Sequence, residues 1–236
     1  YLNNVINPHP AFELIKDARE LLDKDKIKNL NNRWKEHNIN DIDLLVGGPP
    51  CWGYSVIGYR RTFDRDKKNV STNYLYKVMV EIIKSVNPKM FMFENVAGLM
   101  SSRWTKDGIK GEIWNDVEKS FNNIKDYRSK HHLVHSYDYG VPQNRPRVII
   151  VGIRNDVKFK LDEKKVCNGL LPEPIDDKSP SIEELLSDLI DPSYPKTLGS
   201  DKYLSGAKND IQRQFRTMAN GKLMRKGSPL ANHTFS

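Results

Sequence analysis

Residues 41–55 read DIDLLVGGPPCWGYS, and this stretch decides the fold and the chemistry of the chain. The apolar run at 42–46 has the length and composition of a buried β-strand. It stops at Gly-Gly-Pro-Pro, residues 47–50, where the glycines allow unusual backbone angles and the prolines fix φ and remove N–H donors. We therefore expect a rigid turn at the carboxyl end of a strand, which is where open α/β sheets bind ligands.

Cys51 follows this turn directly. A thiol held on a stiff turn at a ligand-binding edge is a candidate nucleophile. The other interpretation is a buried structural cysteine, because free cysteine is among the most buried residue types.

A strand–helix–strand unit follows. Residues 74–86, YLYKVMVEIIKSV, carry an apolar stripe at helical spacing that runs from Leu75 to Val86, and Asn87-Pro88 ends this helix. Residues 90–93, MFMF, form a second buried strand that delivers Glu94 at its carboxyl end. A right-handed crossover makes the two strands parallel, so Cys51 and Glu94 are expected on the same edge of one sheet.

The remaining elements complete an α/β pattern. We expect a short strand at 12–15 ending near Asp17, and strands or helices in three further places. These are a helix over 18–36 that buries Leu21, Leu22, Ile27, Leu30 and Trp34, a helix over 112–125, and a buried strand at 148–151. A capping box at Ser181–Glu184 opens a short helix to about 190. We divide the chain into a partial catalytic domain, 1–160, and a loop-rich region, 161–236.

Charge favours a polyanionic partner. The formal net charge is +8, with five basic and two acidic residues in 59–68 and seven basic and two acidic in 201–226. No apolar stretch approaches the roughly 20 residues of a membrane span. The two cysteines give no disulfide framework, and the histidines at 131, 132 and 135 lack companions for a metal site.

Three motifs resemble those of the DNA (cytosine-5) methyltransferases: GGPPC-x-G-Y-S at 47–55, FENV at 93–96 and QNRPR at 143–147. Trp52 departs from the family, which usually has Gln there. The resemblance implies a Rossmann-like, S-adenosylmethionine-dependent methyltransferase sheet with helices on both faces. The implied reaction transfers a methyl group to C5 of a flipped-out cytosine in duplex DNA through a covalent Cys51–C6 adduct, in a restriction–modification setting.

The resemblance also implies roles for single residues. The catalytic residues are Cys51 as nucleophile, Glu94 on the cytosine edge and Arg145 orienting the base. S-adenosylmethionine is expected to contact residues that match the family's cofactor positions, namely Asp17, Pro49 and Leu75. The expected DNA contacts are Ser55, Arg60, Arg61, Gln143 and Arg147. Other interpretations remain open: Asp17 as a helix N-cap, Glu94 as an exposed or capping carboxylate, and QNRPR as a strand entrance anchored by salt bridges.

The family's Gly-rich first motif and its late motifs have no counterpart here, so we expect a sheet incomplete at both ends and a fragment or a subunit of a split enzyme. Duplex DNA and a complementary methyltransferase chain are the expected partners, in a bacterial cytoplasm and associated with the nucleoid. Three alternatives stay open: a catalytically dead DNA-binding subunit, an RNA cytosine-5 methyltransferase, and a thiol enzyme pairing Cys51 with a histidine.

Overall fold

The computed structural model describes residues 15–50, 71–160, 171–175, 181–190, 201–218 and 220–230. The chain forms two compact units. Unit 1 comprises Tyr1–His135 and Pro146–Glu173, and unit 2 comprises Ser136–Arg145 and Pro174–Ser236. The strand expected at 12–14 and most of the polar loop after Cys51 lie outside the described residues.

Unit 1 contains a four-stranded mixed sheet. Its strands are β1 (Leu44–Gly47), β2 (Met90–Val96), β3 (Tyr127–His135) and β4 (Pro146–Arg154), in the order β1-β2-β4-β3. β1 and β2 are parallel, with Gly47 opposite Phe93, whereas β4 runs antiparallel to both β2 and β3. The α/β class and the parallel pairing of the first two strands are therefore confirmed.

In the described residues, this unit contains the helices α1 (Lys24–Glu36), α2 (Leu75–Val86) and α3 (Glu112–Asn122). Single 3-10 turns precede or follow them at Ala18–Leu22, Ser71–Tyr74 and Ala97–Ser101. α2 ends at Val86, and its C-cap residue Asn87 adopts the left-handed conformation with φ 51°. Pro88 follows, and a proline disfavours helical geometry in the residue before it. The predicted helix over 18–36 is thus a 3-10 turn and an α-helix that meet at Asp23.

The core lies between the sheet and α2 and α3. Phe91 and Phe93 of β2 project into it with Val148 and Ile150 of β4, and Phe121 of α3 packs 4.9 Å from Phe93 between ring centroids. On the opposite face, the β2 methionines and the alternate residues of β4 pack against Val157 and Phe159, which follow β4. Alternation along β2 therefore sends successive side chains to two apolar surfaces.

Two sequence expectations about this unit are wrong, and one strand was missed. The strand at 42–46 is not buried: Leu44 and Val46 are 50% and 61% exposed, because β1 lies at the edge of the described sheet. Leu22 is exposed because it lies in the 3-10 turn rather than on α1. β3 was not predicted, because YRSKHHLVH contains no apolar run; only Tyr127 of that edge strand is buried.

Unit 2 contains α4 (Ile182–Leu186) and α5 (Asp210–Arg216). The capping box predicted at Ser181 and Glu184 is present, but the helix ends at Leu186 rather than near 190. The described part of unit 2 is organised around Arg216, which is 1% exposed. Its guanidinium lies 2.5 Å from the Asp188 carboxylate and 3.7 Å from the centre of the Tyr203 ring.

Among the described residues, no helix is both long and apolar enough to cross a bilayer.

Candidate active site

The turn after β1 is tied to β2 by a buried amide. Asn95 is 3% exposed, and its Nδ2 donates a hydrogen bond of 3.1 Å to the carbonyl oxygen of Pro49. Its Oδ1 accepts from the backbone N–H of Val96 at 2.9 Å. Both ends of the amide are therefore engaged, and the Gly-Gly-Pro-Pro turn is held against the carboxyl end of β2.

Glu94 points to the other face of β2, where it meets a cation. Its Oε1 lies 2.7 Å from Nε of Arg147, and the two side chains are 42% and 20% exposed. Glu94 pairs with Ile149 in the β2–β4 register, so Arg147 is its diagonal cross-strand neighbour. A second bond, from Nη1 of Arg147 to the Pro146 carbonyl at 2.8 Å, fixes the guanidinium. The carboxylate is oriented yet remains accessible.

The two glycines of the turn serve close packing. Neither Gly47 nor Gly48 has a positive φ, so the turn does not use the left-handed conformations that glycine allows. A Cβ at Gly47 would lie 2.6 Å from the Met79 sulfur, and one at Gly48 would lie 3.1 Å from Oε2 of Glu94. The missing side chains leave room for α2 at one glycine and for the Glu94 carboxylate at the next.

An apolar cavity of about 370 Å³ opens beside this turn. Two of the residues predicted to contact S-adenosylmethionine, Pro49 and Leu75, line it together. The other lining residues are Ala18, Leu21, Leu45, Val46, Gly47, Gly48, Pro50, Met79 and Ile82. All of these described side chains are apolar, which suits one face of a purine ring; polar groups of a ligand would need donors from elsewhere.

Asp17 precedes Ala18 and is engaged locally. It is the N-cap of the turn Ala18–Leu22 and forms a capping box with Glu20. Its carboxylate also accepts from the Arg19 side chain, with Nη2 2.6 Å from Oδ2. These hydrogen bonds from Arg19 lower the pKa of Asp17 to about 2. The N-cap interpretation is thus confirmed. The contact with adenine stays a prediction, and it requires the Arg19 side chain to release one of the carboxylate oxygens of Asp17.

Arg145 and Gln143 belong to unit 2. Ser136 holds their segment in shape: its hydroxyl donates to the carbonyl of Gln143 and accepts from the backbone N–H of Arg145 at 3.1 Å. The side chain that the structure pairs with Glu94 is therefore that of Arg147, two residues further along the same motif. The role predicted for Arg145 stays a prediction.

Four predicted site residues lie outside the described part of the chain, namely Cys51, Ser55, Arg60 and Arg61. Within the described ranges, no group of three or more histidine, cysteine or acidic side chains could hold a metal ion. Sequence reasoning missed the roles of Asn95 and Gly48. The signal for Asn95 was a polar residue on the inward-facing register of an apolar strand, where a partner is required.

The fold and the site together define an α/β protein whose parallel β1–β2 pair brings a Gly-Gly-Pro-Pro turn beside a Glu–Arg ion pair. The sequence pattern of the family described as C-5 cytosine-specific DNA methylase matches residues 8–227. The chain belongs to this family.

Its relatives include type II methyltransferases. The chain is 32% identical over 207 residues to M.XorII of Xanthomonas oryzae pv. oryzae, which covers 82% of the chain and 44% of that protein. It is 30% identical over 204 residues to M.FnuDI of Fusobacterium nucleatum, covering 86% of the chain and 49% of that protein. The chain thus spans less than half the length of these relatives.

A solved structure shares the fold. It is a DNA modification methyltransferase encoded within an Escherichia coli prophage, which superposes with a TM-score of 0.50 at 22% identity. The match covers 85% of this chain and 49% of that chain.

Proposed function

We propose that this chain carries part of the catalytic centre of a DNA (cytosine-5) methyltransferase that uses S-adenosylmethionine. Its type II relatives favour a restriction–modification setting. The observation that carries the proposal is the ion pair between Glu94 of β2 and Arg147 of β4, beside a turn that leads straight into Cys51 and that Asn95 holds in place. A carboxyl group and a thiol at one sheet edge are what covalent activation of a cytosine requires.

The chemistry begins at C6 of the base. The Cys51 thiolate adds to C6, the electron pair of the C5–C6 double bond moves to C5, and C5 becomes a nucleophile. Bound S-adenosylmethionine would supply the electrophilic methyl group that C5 takes up, and S-adenosylhomocysteine would leave as the S–CH3 bond of the cofactor breaks. Loss of the C5 proton to a base then expels the Cys51 thiolate and restores the aromatic ring. The base must leave the duplex stack for its ring face to be reached.

Glu94 holds the cytosine in this scheme. Its accessible carboxyl edge hydrogen-bonds the exocyclic N4, and its protonated form donates to N3 as the ring takes up charge. Arg147 keeps Oε1 of Glu94 in place through its Nε, so the carboxyl does not rotate away when a base arrives. Arg145 and Gln143 are assigned to the same base by their motif, and Arg147 is also a candidate DNA contact.

The cofactor is assigned to the apolar cavity beside the turn. Pro49, Leu75 and Leu21 would contact its adenine, and Asp17 would accept from the adenine amino group once Arg19 has moved. Duplex DNA is assigned as substrate because unit 2 exposes Lys222, Arg225 and Lys226 close together in sequence. Ser55, Arg60 and Arg61 would contact the duplex beside the extruded base.

The test is formation of a covalent adduct. Random-sequence duplexes made with 5-fluorocytosine in place of cytosine would be incubated with the chain and S-adenosylmethionine, and denaturing gels would be scored for a protein–DNA band. Fluorine at C5 cannot leave as a proton does, so the Cys51–C6 bond is trapped. We expect a band that disappears with Cys51→Ser and falls sharply with Glu94→Gln.

Three results would contradict the proposal. A band that survives Cys51→Ser would remove Cys51 from the reaction. Duplex binding without any band, in wild type supplied with cofactor, would favour a DNA-binding subunit instead. A band formed only with RNA that carries 5-fluorocytosine would move the substrate to RNA.

A further inference from the structure

We infer that Gly48 is a positioning residue for the reaction: it leaves open the space in which Arg147 holds the Glu94 carboxylate, and it sets how far that carboxylate extends toward the turn before Cys51. The inference rests on the proposed function for its catalytic meaning. The steric relation between Gly48 and Glu94 follows from the contacts of the described residues alone.

Glycine at position 48 is not demanded by the backbone. Its φ lies outside the positive region, so an alanine could adopt the same conformation. A side chain at position 48 is instead disfavoured by the neighbouring atoms of Glu94. An added Cβ would meet Oε2 of Glu94 at 3.1 Å, and the carbonyl oxygen of the same residue at 3.8 Å. The first distance is too short for an oxygen against a methyl group, so the carboxylate would have to move by a few tenths of an ångström.

The Glu94 carboxylate is not free to move without loss. Its other oxygen, Oε1, lies 2.7 Å from Nε of Arg147. That guanidinium is held in turn by the Pro146 carbonyl. The carboxylate is thus clamped between a cation on one side and the bare Cα of Gly48 on the other. A methyl group at 48 would stretch the ion pair or rotate the carboxyl away from the base it is proposed to bind.

Gly48 also lines the apolar cavity, so a rival explanation is that a small residue is needed there for the cofactor. Gly47 lines the same cavity, but its missing Cβ faces the Met79 sulfur at 2.6 Å and not Glu94. The two neighbouring glycines therefore form a matched pair. One couples to a catalytic carboxylate, and the other couples to the packing of α2.

The experiment is a pair of double-mutant cycles in thermal unfolding of this chain. Gly48→Ala should lower the unfolding midpoint by roughly 3 °C more in the wild-type background than in a Glu94→Ala background, where the carboxylate is gone. The loss caused by Gly47→Ala should persist with Glu94→Ala and vanish instead with Met79→Ala. If Gly48→Ala costs the same with and without Glu94, the inference is overturned. This outcome needs no enzymatic activity.

The second readout is the rate of adduct formation on 5-fluorocytosine duplexes at saturating S-adenosylmethionine, below the unfolding midpoint. Gly48→Ala should slow the rate on the order of tenfold, and should add nothing in the Glu94→Ala background. A loss in that background that is seen at sub-saturating S-adenosylmethionine and disappears at saturation would assign Gly48 to the cofactor and overturn the inference. Absence of an adduct in wild type would count against the proposed function, while the unfolding cycles would still decide the role of Gly48.

Discussion

Asn95 is the residue on which the geometry of the turn depends most. Asn95→Ala removes the donor to the Pro49 carbonyl and leaves that acceptor and the Val96 N–H without their partner. Losing such buried hydrogen bonds costs about 1–3 kcal/mol. We expect urea unfolding to show a loss of this size, together with slower adduct formation because the turn before Cys51 is released.

The matched control is Asn115→Ala on the exposed side of α3, which should change the free energy of unfolding by less than about 0.5 kcal/mol. Equal losses for the two variants would show that the Asn95 amide does not hold the turn.

Asp17 makes a prediction about pH. Its folded-state pKa of about 2 lies below the ordinary value of 3.8, because Arg19 hydrogen-bonds the ionised form. The stabilisation is therefore fully present above about pH 4 and is lost as the pH falls toward 2. An NMR titration of the Asp17 carboxyl should have its midpoint near 2 and should shift upward in Arg19→Gln. A midpoint near 3.8 in both proteins would show that the Asp17–Arg19 ion pair does not form in solution.

The close contact between β2 and β4 includes the ring of Phe91, which covers Gly152. Gly152 lies opposite Phe91, and a Cβ there would fall 2.0 Å from the ring. Gly152→Ala should cost on the order of 1–3 kcal/mol by forcing the ring aside, with most of this recovered in a Phe91→Leu background. Gly206→Ala is the control, since no atom lies within 4 Å of its added Cβ. Equal effects at the two glycines would contradict this account of the β2–β4 contact.

Elements whose side chains face one apolar surface could be predicted from the sequence. Helix α2 lies where the apolar stripe predicts a helix, and Met79, Ile82 and Ile83 of that stripe are buried. Tyr76 and Val80, which the stripe did not include, are buried as well, whereas Leu75, Val78 and Val86 are only half-buried. The buried side of α3 (Ile113, Trp114, Val117, Phe121) follows the expected spacing, because burial on one side of a helix produces this periodicity. β3 could not be predicted, since an edge strand buries little and so needs no apolar run. The exposure of β1 was missed for a related reason: composition does not reveal which strand lies at an edge.

The candidate site was predictable in its residue types and not in its pairings. Motif resemblance selected Glu94 and the QNRPR segment, yet only the antiparallel register of β2 and β4 shows that Arg147 is the arginine beside Glu94. The role of Gly48 was hidden because a glycine leaves no side chain to interpret; the space it provides becomes visible only when the neighbouring carboxylate is in place.

We expect the two units of the chain to unfold separately. Arg216→Met leaves the Asp188 carboxylate buried without its cation, which costs about 3–5 kcal/mol. Hydrogen exchange should accelerate across Asp210–Arg216 while the β2 amides of unit 1 keep their protection. Arg213→Met on the same helix removes only an exposed ion pair with Asp210, and should change exchange little. Loss of protection in β2 would show that the units unfold together.

The charge of unit 2 makes a prediction about DNA affinity. Lys222→Ala and Arg225→Ala should each reduce the slope of log affinity against log salt by about 1, because each removed phosphate contact releases one fewer counterion. Lys28→Ala, which removes an exposed charge from α1, should leave the slope unchanged. A slope unaffected by the first two changes would mean that these side chains do not contact phosphates.

The adjacent glycines of the turn differ in the substitutions that evolution can accept at each position. Gly47 can be replaced by a larger residue if Met79 is replaced by a smaller one, because the two positions are coupled only through the space their side chains occupy. Replacement of Gly48 demands a change at Glu94, and under the proposed chemistry no other residue at 94 does the same work. Position 48 is therefore expected to stay glycine wherever Glu94 serves the proposed chemistry, because alanine there would slow adduct formation on the order of tenfold.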